Sequence, residues 1–309
     1  MSASSEARRL AMLREVFGAL PEPDVGVGDD AAVLHDPRPL VVTVDAAVEG
    51  VHFRRDLLSL DAASARACEA AMSDVAAMGA TLDGAGCGLL LAWTLPRGLA
   101  DDDMLALARG ADRAARRVGT RVVGGNLSAG PALTLTTTVL GRANGAPLRR
   151  AGARVGDAVA VSGPMGLAAR GLRALLAGED AADARAAAQA WRTPRARLDL
   201  SAALARHAHA CIDVSDGLAL DAARLAEASS VGIDLDLTAL RALVPDDVRD
   251  DEILHGGEDY ELLATGPASQ FPAGWFIVGA VTSGAGVWLR AADRREPLSP
   301  RGWDHFSAT

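Results

Sequence analysis

The stretch RANGAPLRRAGARVG, residues 142–156, divides the 309-residue chain near its middle. It combines glycine, proline and four arginines without a periodic apolar pattern, which is typical of a connection between domains. Segments with strand and helix patterns lie on both sides of it. We therefore predict two domains, 1–143 and 144–309.

Upstream of this connection, helix and strand patterns follow one another without a strict βαβ rhythm. Apolar residues at helical spacing predict helices over 5–20, 61–79 and 102–118. Runs of β-branched or alternating apolar residues predict strands at 40–44, 86–95, 120–123 and 132–140, with a glycine-containing loop at 124–130.

The downstream half repeats this mixture of elements. Its patterns predict a strand at 158–162, alanine-rich helices within 166–209, a strand at 211–214, a helix ending near 230, and strands near 233–237, 260–265, 275–281 and 286–290. Both halves therefore fit the α+β class, with strands and helices mixed, better than a doubly wound sheet.

Composition excludes several kinds of chemistry. The chain contains no lysine, so all 31 basic residues are arginine, and the 40 acidic residues give a formal net charge of −9. Enzymes that depend on a P-loop lysine, a protein-kinase strand lysine or a Schiff base all need an ε-amine. The acidic balance also argues against a nucleic-acid partner.

The cysteines and the N-terminal residues indicate the cellular compartment of the protein. Cys68, Cys87 and Cys211 show no C-x-x-C spacing, so neither a disulfide framework nor a thiolate zinc site is supported. The first residues lack the apolar core of a signal peptide, and the longest apolar run, 89–95, is too short to span a bilayer. We expect a cytoplasmic protein without a membrane partner.

A set of acidic residues lacks oppositely charged neighbours in the sequence. Asp74 has no arginine three or four positions away, although it lies in a predicted helix. The others share apolar or glycine-rich surroundings: Asp29, Asp30, Asp45, Asp213, Asp216, Glu258, Asp259 and Glu261. Carboxylates in such surroundings need a cation, and oxygen ligands from distant segments suit Mg²⁺ or Mn²⁺. Magnesium normally arrives with phosphates, which glycine loops at 26–28, 124–125 and 162–166 could approach.

Simpler interpretations of single residues stay open. Asp216 is also placed to cap a helix, Asp29 to form a turn, and Asp74 to be a solvated surface carboxylate. His52 has no second histidine at metal-pair spacing and fits a structural role. Ser215 lacks the G-x-S-x-G surroundings of a hydrolase nucleophile.

Six blocks in order along the chain resemble the thiamine-monophosphate kinase family. They are GDDAAV (28–33), Asp45 with EGVHF (49–53), SDVAAMGA (73–80), IDVSDGL (212–218), GGEDYEL (256–262) and GWDHF (302–306). That family belongs to a superfamily similar to aminoimidazole ribonucleotide synthetase. The resemblance implies an N-terminal domain that pairs into a dimeric β-barrel and a C-terminal α/β sandwich.

The resemblance also implies an activity and a set of site residues. The activity is direct, in-line transfer of the γ-phosphoryl group of ATP to thiamine monophosphate, giving thiamine diphosphate, with several Mg²⁺ ions, in a homodimer and without a catalytic nucleophile. The implied metal ligands are Asp30, Thr43, the carbonyl of Val44, Asp45, Asp74, Asn126, Asp213 and Asp216. The implied ATP contacts are Gly125, Arg150 and Ser215, and the implied substrate contacts are His52, Glu258 and Trp303.

One departure from the family pattern leaves alternatives open. Asn126 stands where the family pattern has an aspartate, so the site loses one negative charge and should bind one metal more weakly. A non-catalytic binder of nucleotide or thiamine phosphate is therefore one alternative. A sister ATP-dependent enzyme of the superfamily is the other, although the chain lacks the C-terminal and early cysteines of two such enzymes.

Overall fold

The computed structural model describes residues 12–13, 15–18, 36–292 and 294–303. These residues fall into two compact units, one within 1–75 and 81–145 and the other within 76–80 and 146–309. The predicted helix over 5–20 and the glycine loop at 26–28 lie wholly or largely outside the described residues. The two units are described separately below.

Between residues 36 and 145, the described part of the first unit contains a five-stranded sheet and two helices. Its elements are β1 (Leu40–Val48), α1 (Leu60–Ala77), β2 (Ala80–Thr81), β3 (Gly88–Pro96), α2 (Asp101–Arg117), β4 (Val122–Gly130) and β5 (Thr134–Ala143). The strand order is β1-β5-β3-β4, and β2 pairs with β5. All pairs of that order are antiparallel except β3 with β4, which are joined through α2.

Helix α2 illustrates how the sequence determines an element of this unit. Its residues at helical spacing, including Met104, Leu107 and Ala111, are completely buried. Its first turn carries three aspartates and its last turn two arginines, which matches the polarity of the helix dipole. Gly110 lies so close to α1 that an added Cβ would be 2.0 Å from the carbonyl oxygen of Asp61.

One face of the five-stranded sheet of the first unit is open to solvent at strand β1. Val41 is buried, whereas its neighbours Leu40, Val42 and Val44 are 50%, 55% and 63% exposed, as expected for alternating side chains on a strand with one covered face. Among the described residues β1 pairs only with β5, so the sheet is not closed into a barrel by one chain. The dimeric barrel stays a prediction.

The segment 124–130 corrects the sequence analysis, because it is not a loop. It forms most of β4 and pairs in parallel with β3, from Leu90 opposite Gly124 to Pro96 opposite Gly130. Its glycines resemble a loop in composition, but pairing along an edge of the sheet determines its conformation. Strand β1 is also four residues longer than the predicted 40–44.

The second unit contains a seven-stranded sheet and several short helices. Its strands are β6 (Ala158–Val161), β7 (Ala210–Val214), β8 (Gly232–Asp236), β9 (Glu261–Gly266), β10 (Phe276–Thr282), β11 (Gly286–Ala291) and β12 (Arg294–Pro297). Its helices are α3 (Leu167–Ala177), α4 (Ala182–Arg192), α5 (Leu198–Leu204), α6 (Leu218–Ser229), α7 (Leu237–Arg241) and α8 (Asp250–His255). The sequence analysis did not predict α7, α8, β2 or β12, which are all short.

Apolar clusters lie on both faces of this sheet. The strand order is β12-β11-β8-β10-β6-β9-β7. In β6, Val159 and Val161 pack into one cluster with residues of α6, while Ala160 between them packs into the other. A sheet covered on both sides explains why β6 and β7 are apolar almost throughout. The mixed α/β class is thus confirmed.

The second unit includes a segment that the prediction of two consecutive domains did not assign to it. Ala76 and Ala77, at the end of α1, belong to a buried cluster of this unit with Leu148 and Leu204. The backbone N–H of Leu148 donates to the carbonyl of Met78 at 2.9 Å. The predicted bounds 1–143 and 144–309 assign this segment to the first domain, and they stay a prediction. None of the described helices is both long and apolar enough to cross a lipid bilayer.

Candidate functional site

Strand β1 and helix α1 bring two predicted metal ligands together in the first unit. The hydroxyl group of Thr43 donates to Oδ2 of Asp74 at 2.6 Å. Thr43 alternates with the exposed Val42 and Val44, so it lies on the side of β1 that faces α1. A threonine 31 positions away, rather than an arginine on the same helix, thus contacts this carboxylate.

The end of β1 carries three further predicted site residues. Asp45 is exposed, and its Oδ1 accepts the N–H of Ala46 at 2.7 Å. His52 follows the strand, and its Nδ1 accepts the N–H of Val48 at 3.0 Å. An acceptor at Nδ1 means that the neutral imidazole carries its proton on Nε2. Val44 pairs with Thr138 within the sheet.

Strand β4 carries the predicted nucleotide contact Gly125 and the unusual Asn126. Gly125 has φ +155° and lies opposite Leu91, where an added Cβ would be 2.0 Å from the Leu91 carbonyl oxygen. Only glycine therefore permits this parallel pairing. Asn126 is exposed and lies opposite Ala92. The structure does not show these two residues in contact with Thr43 or Asp74.

In the second unit, a tight turn connects β7 to α6 and carries Ser215 and Asp216. Asp213, two positions earlier, is 5% exposed and lies on the face of the sheet that Cys211 shares. The carboxylate of Asp216 accepts a hydrogen bond from Nη1 of Arg224 at 2.6 Å. The N-cap position of α6 is Gly217 rather than Asp216.

Backbone hydrogen bonds join this turn to two predicted substrate contacts. The N–H of Glu258 donates to the carbonyl of Ser215 at 2.7 Å, and the N–H of Trp303 donates to the carbonyl of Asp216 at 3.0 Å. Gly257 permits this approach, because an added Cβ would be 2.6 Å from the Ser215 oxygen. The second unit therefore brings Ser215, Asp216, Glu258 and Trp303 together.

The side chain of Glu258 has a partner that the sequence analysis missed. Its Oε2 accepts the indole N–H of Trp191 at 2.8 Å, and Trp191 is 3% exposed. Glu258 has φ +70°, a conformation that non-glycine residues rarely adopt and that is common at functional sites. Trp191 lies in the last turn of helix α4, 67 positions from Glu258, and no local pattern links the two.

The acidic residues beside Glu258 have structural roles. Asp259 accepts the N–H groups of Gly166 at 2.6 Å and Ala168 at 3.0 Å, so it binds the N-terminus of α3. Removal of this carboxylate from water raises its pKa to about 7, although both N–H groups act in the opposite direction. Glu261 accepts Nη1 of Arg197 at 2.6 Å and also the hydroxyl of Ser162.

These contacts correct one expectation about phosphate binding. The glycine loop at 162–166 was predicted to present N–H groups to phosphate, but the N–H of Gly166 is already bound by Asp259. The Ser162 hydroxyl, in turn, accepts the N–H of Leu262 at 2.7 Å. The loop is thus held by carboxylates of the chain itself.

Arg150 and Asp30 complete the set of predicted residues. Arg150 is exposed, and its carbonyl accepts the hydroxyl of Ser229 at 2.8 Å, which fixes its backbone. Asp30 lies outside the described residues. In the described parts of either unit, no three His, Cys, Asp or Glu side chains form a group that could hold a metal ion. The metal ligand set stays a prediction.

Two models of one family match this chain. AIR synthase related protein, N-terminal domain, matches residues 28–143, and AIR synthase related protein, C-terminal domain, matches residues 154–293. These matches cover most of the chain, and each falls on one of the predicted domains.

Known relatives identify a more specific family than the two domain models do. A thiamine-monophosphate kinase of Synechococcus elongatus is 36% identical, with 91% of each chain covered. The thiamine-monophosphate kinase of Aquifex aeolicus is 32% identical, with 91% of this chain and 92% of the relative covered. The solved structure of AaThiL complexed with AMPPCP and TMP matches with a TM-score of 0.79 and 31% identity over 89% of each chain. This chain belongs to the thiamine-monophosphate kinase family, within the AIR synthase related proteins.

Proposed function

We propose that this chain transfers the γ-phosphoryl group of ATP to the phosphate of thiamine monophosphate and so forms thiamine diphosphate and ADP. The relative AaThiL, complexed with AMPPCP, an analogue of ATP, and TMP, supports both substrates. The observation that carries the proposal is the turn at 215–216, whose backbone is hydrogen-bonded to both Glu258 and Trp303. The residues implied for nucleotide and metal thus lie on this turn, and two residues implied for thiamine phosphate are hydrogen-bonded to it.

The donor atoms of the chain fit Mg²⁺. Asp74 with Thr43 in one unit and Asp216 in the other offer only oxygen atoms, the ligands that hard divalent cations prefer. Mg²⁺ normally binds through one or two carboxylates together with waters and phosphates, so a preformed cluster of three acids is not required. When bound, Mg²⁺ would neutralise the charge of the phosphate oxygens. We propose that several Mg²⁺ ions bind, with Asp30, Thr43, the Val44 carbonyl, Asp45, Asp74, Asn126, Asp213 and Asp216 as their ligands.

The substrate contacts have suitable chemistry for a phosphate and an aromatic ring. His52 can donate from Nε2 to a phosphate oxygen, because its Nδ1 accepts a backbone N–H. Trp303 is 44% exposed, which leaves its indole ring accessible for stacking. Glu258 is oriented by Trp191. We propose that Gly125, Arg150 and Ser215 contact ATP.

The reaction needs no nucleophilic side chain and no general base. The acceptor phosphate is already ionised at neutral pH, so positioning and charge neutralisation account for catalysis. Burial raises the pKa of Cys68 to about 12 and that of Cys87 to about 11, and also raises the pKa of Cys211. None of these thiols therefore forms the thiolate that a nucleophile requires. We also propose a homodimer in the cytoplasm.

The direct test is to incubate the purified chain with ATP, Mg²⁺ and thiamine monophosphate and to measure thiamine diphosphate and ADP by chromatography. The proposal predicts equal amounts of both products, and no product when Mg²⁺ is removed with a chelator. Binding of both substrates without product would instead identify a non-catalytic binder. Activity on a different phosphate acceptor alone would identify a sister enzyme.

A further inference from the structure

The carboxylate of Asp221 is buried and binds the turn that carries Ser215 and Asp216. Its Oδ2 accepts three consecutive backbone N–H groups, from Ser215 at 3.1 Å, Asp216 at 3.0 Å and Gly217 at 3.2 Å. Its Oδ1 accepts Nη1 of Arg224 at 2.7 Å. The side chain of Asp221 is 1% exposed. The sequence analysis did not select this residue.

Three successive N–H groups that converge on one point form a typical anion-binding site. In this turn the anion is a carboxylate of the chain itself. The N–H groups of Ser215–Gly217 are therefore not available to a phosphate group. What the turn can offer to ligands is the Ser215 hydroxyl and the Asp216 carboxylate, and the latter suits a cation.

Arg224 connects Asp221 to the orientation of Asp216. A single nitrogen, Nη1, donates to Oδ2 of Asp216 at 2.6 Å and to Oδ1 of Asp221 at 2.7 Å. The carbonyl groups of Ser215 and Asp216 in the same turn accept hydrogen bonds from the N–H groups of Glu258 and Trp303, respectively. The backbone of the turn is thus fixed through both its N–H and its carbonyl groups.

A role for Asp221 in stabilising α6 alone does not account for these contacts. Carboxylates that stabilise a helix start accept N–H groups of its first turn. Two of the three N–H groups bound here, those of Ser215 and Asp216, precede the N-cap residue Gly217. The contacts serve the shape of the turn.

We propose that Asp221 is a positioning residue of the phosphoryl transfer, which fixes the Ser215–Gly217 turn and, through Arg224, orients the Asp216 carboxylate toward a divalent cation. This inference rests on the proposed function. It predicts that the charge of Asp221 matters for the use of Mg²⁺ although Asp221 itself touches neither metal nor substrate.

Asp221→Asn tests the inference, with Asp234→Asn as its matched control. Asparagine keeps the shape of the side chain, but it carries no charge. Its amide NH₂ group is a donor, so it cannot accept the hydrogen bond that Arg224 donates to the carboxylate. Asp234 is also a buried aspartate bound to an arginine, Arg295, in the same unit. It lies on β8, four strand spacings from β7, which is roughly 19 Å.

Kinetics with saturating ATP and thiamine monophosphate provide the first measurement. We expect Asp221→Asn to raise the half-saturating Mg²⁺ concentration roughly tenfold and to lower kcat, as supporting residues of metal sites do. Asp234→Asn should leave both values near those of the wild type, even if it lowers the melting temperature equally. Equal Mg²⁺ requirements in both variants would overturn the inference. A wild-type chain that forms no thiamine diphosphate would instead overturn the proposed function.

Hydrogen exchange of the unmodified chain, followed by NMR, provides a measurement that needs neither activity nor a variant. The amides of Ser215, Asp216 and Gly217 should exchange slowly without any ligand, because the Asp221 carboxylate holds them. Adding Mg²⁺ and AMPPCP should leave them slow. Exchange at the rate of an open loop would contradict the inference, even if Asp221→Asn fails to fold.

Discussion

Asp74 has completely buried neighbours, Ser73 and Val75, and its carboxylate accepts the hydroxyl hydrogen of Thr43. The sequence selected Asp74 because its helix offers no arginine at a suitable position. It could not identify Thr43 as the partner, since the two residues are far apart in the chain and only the packing of α1 on β1 joins them. Local spacing thus found the carboxylate but not its surroundings.

Asp74→Asn should lower kcat roughly 100-fold, because asparagine keeps the size of the side chain but removes the charge that a metal ligand needs. The measurement is the steady-state rate of thiamine diphosphate formation at saturating substrates. Asp102→Asn, at an exposed position of α2, is the control and should stay within about twofold of the wild type. Near-normal turnover in Asp74→Asn would remove Asp74 from the site.

Asn126→Asp should restore a negative charge at an exposed position of β4. We expect it to keep or raise kcat and to lower the half-saturating Mg²⁺ concentration by about tenfold, since a carboxylate binds Mg²⁺ better than an amide oxygen. Titrations of activity against Mg²⁺ measure this. Asn144→Asp, another exposed asparagine of the first unit, should change nothing. A higher Mg²⁺ requirement would count against Asn126 as a ligand.

The elements of this fold were predicted best where their side-chain pattern is strong. Helix α2 was predicted as 102–118 and runs from Asp101 to Arg117, because its apolar spacing and its terminal charges agree. The segment 124–130 was wrongly predicted as a loop, since glycine composition cannot show that β3 lies beside it. The same limit applies to the glycine loop at 162–166, whose contact with Asp259 is formed by distant residues.

The contact between Asp259 and helix α3 predicts a pH dependence of stability. The pKa of about 7 in the folded chain exceeds the ordinary carboxyl value of 3.8, so between these values the folded chain holds a proton that the unfolded chain has lost. The stabilisation from Asp259 is therefore complete below about pH 4 and decreases as the pH rises toward 7.

Asp259→Asn cannot ionise, so its melting temperature should rise relative to the wild type between pH 5 and pH 8. Thermal unfolding of both chains at the two pH values measures this difference. Asp236→Asn, which removes the carboxylate that caps α7, is the control and should show no such rise. If the difference between Asp259→Asn and the wild type is constant with pH, the carboxyl of Asp259 is already ionised at pH 5 in the folded chain.

The whole chain was predicted as two α+β halves, and each unit has its own sheet and its own core. The sequence did not indicate that Ala76–Ala80 would belong with the second unit, because alanines at helical spacing show burial without showing the partner. Nor could it show the open face of the first sheet. That face carries Leu40, Val42 and Val44 on an edge strand, an arrangement that proteins usually cover.

The proposed homodimer would cover this apolar face, so Val42→Glu should weaken association. A charge placed among apolar side chains of an interface is costly to bury. Light scattering coupled to size-exclusion chromatography should show a dimer for the wild type and a monomer for Val42→Glu. Val155→Glu, at a valine of equal or greater exposure in the second unit, should stay dimeric. A dimer in all three chains would place the interface elsewhere.

The central claim, transfer of the γ-phosphoryl group of ATP to the phosphate of thiamine monophosphate, is tested most directly by following labelled oxygen. ATP carrying ¹⁸O on the terminal phosphoryl group is incubated with Mg²⁺, thiamine monophosphate and the chain, and the products are analysed by ³¹P NMR. The account predicts that the label appears in the terminal phosphate of thiamine diphosphate, with ADP unlabelled. Label released as inorganic phosphate, with thiamine monophosphate unchanged, would contradict it.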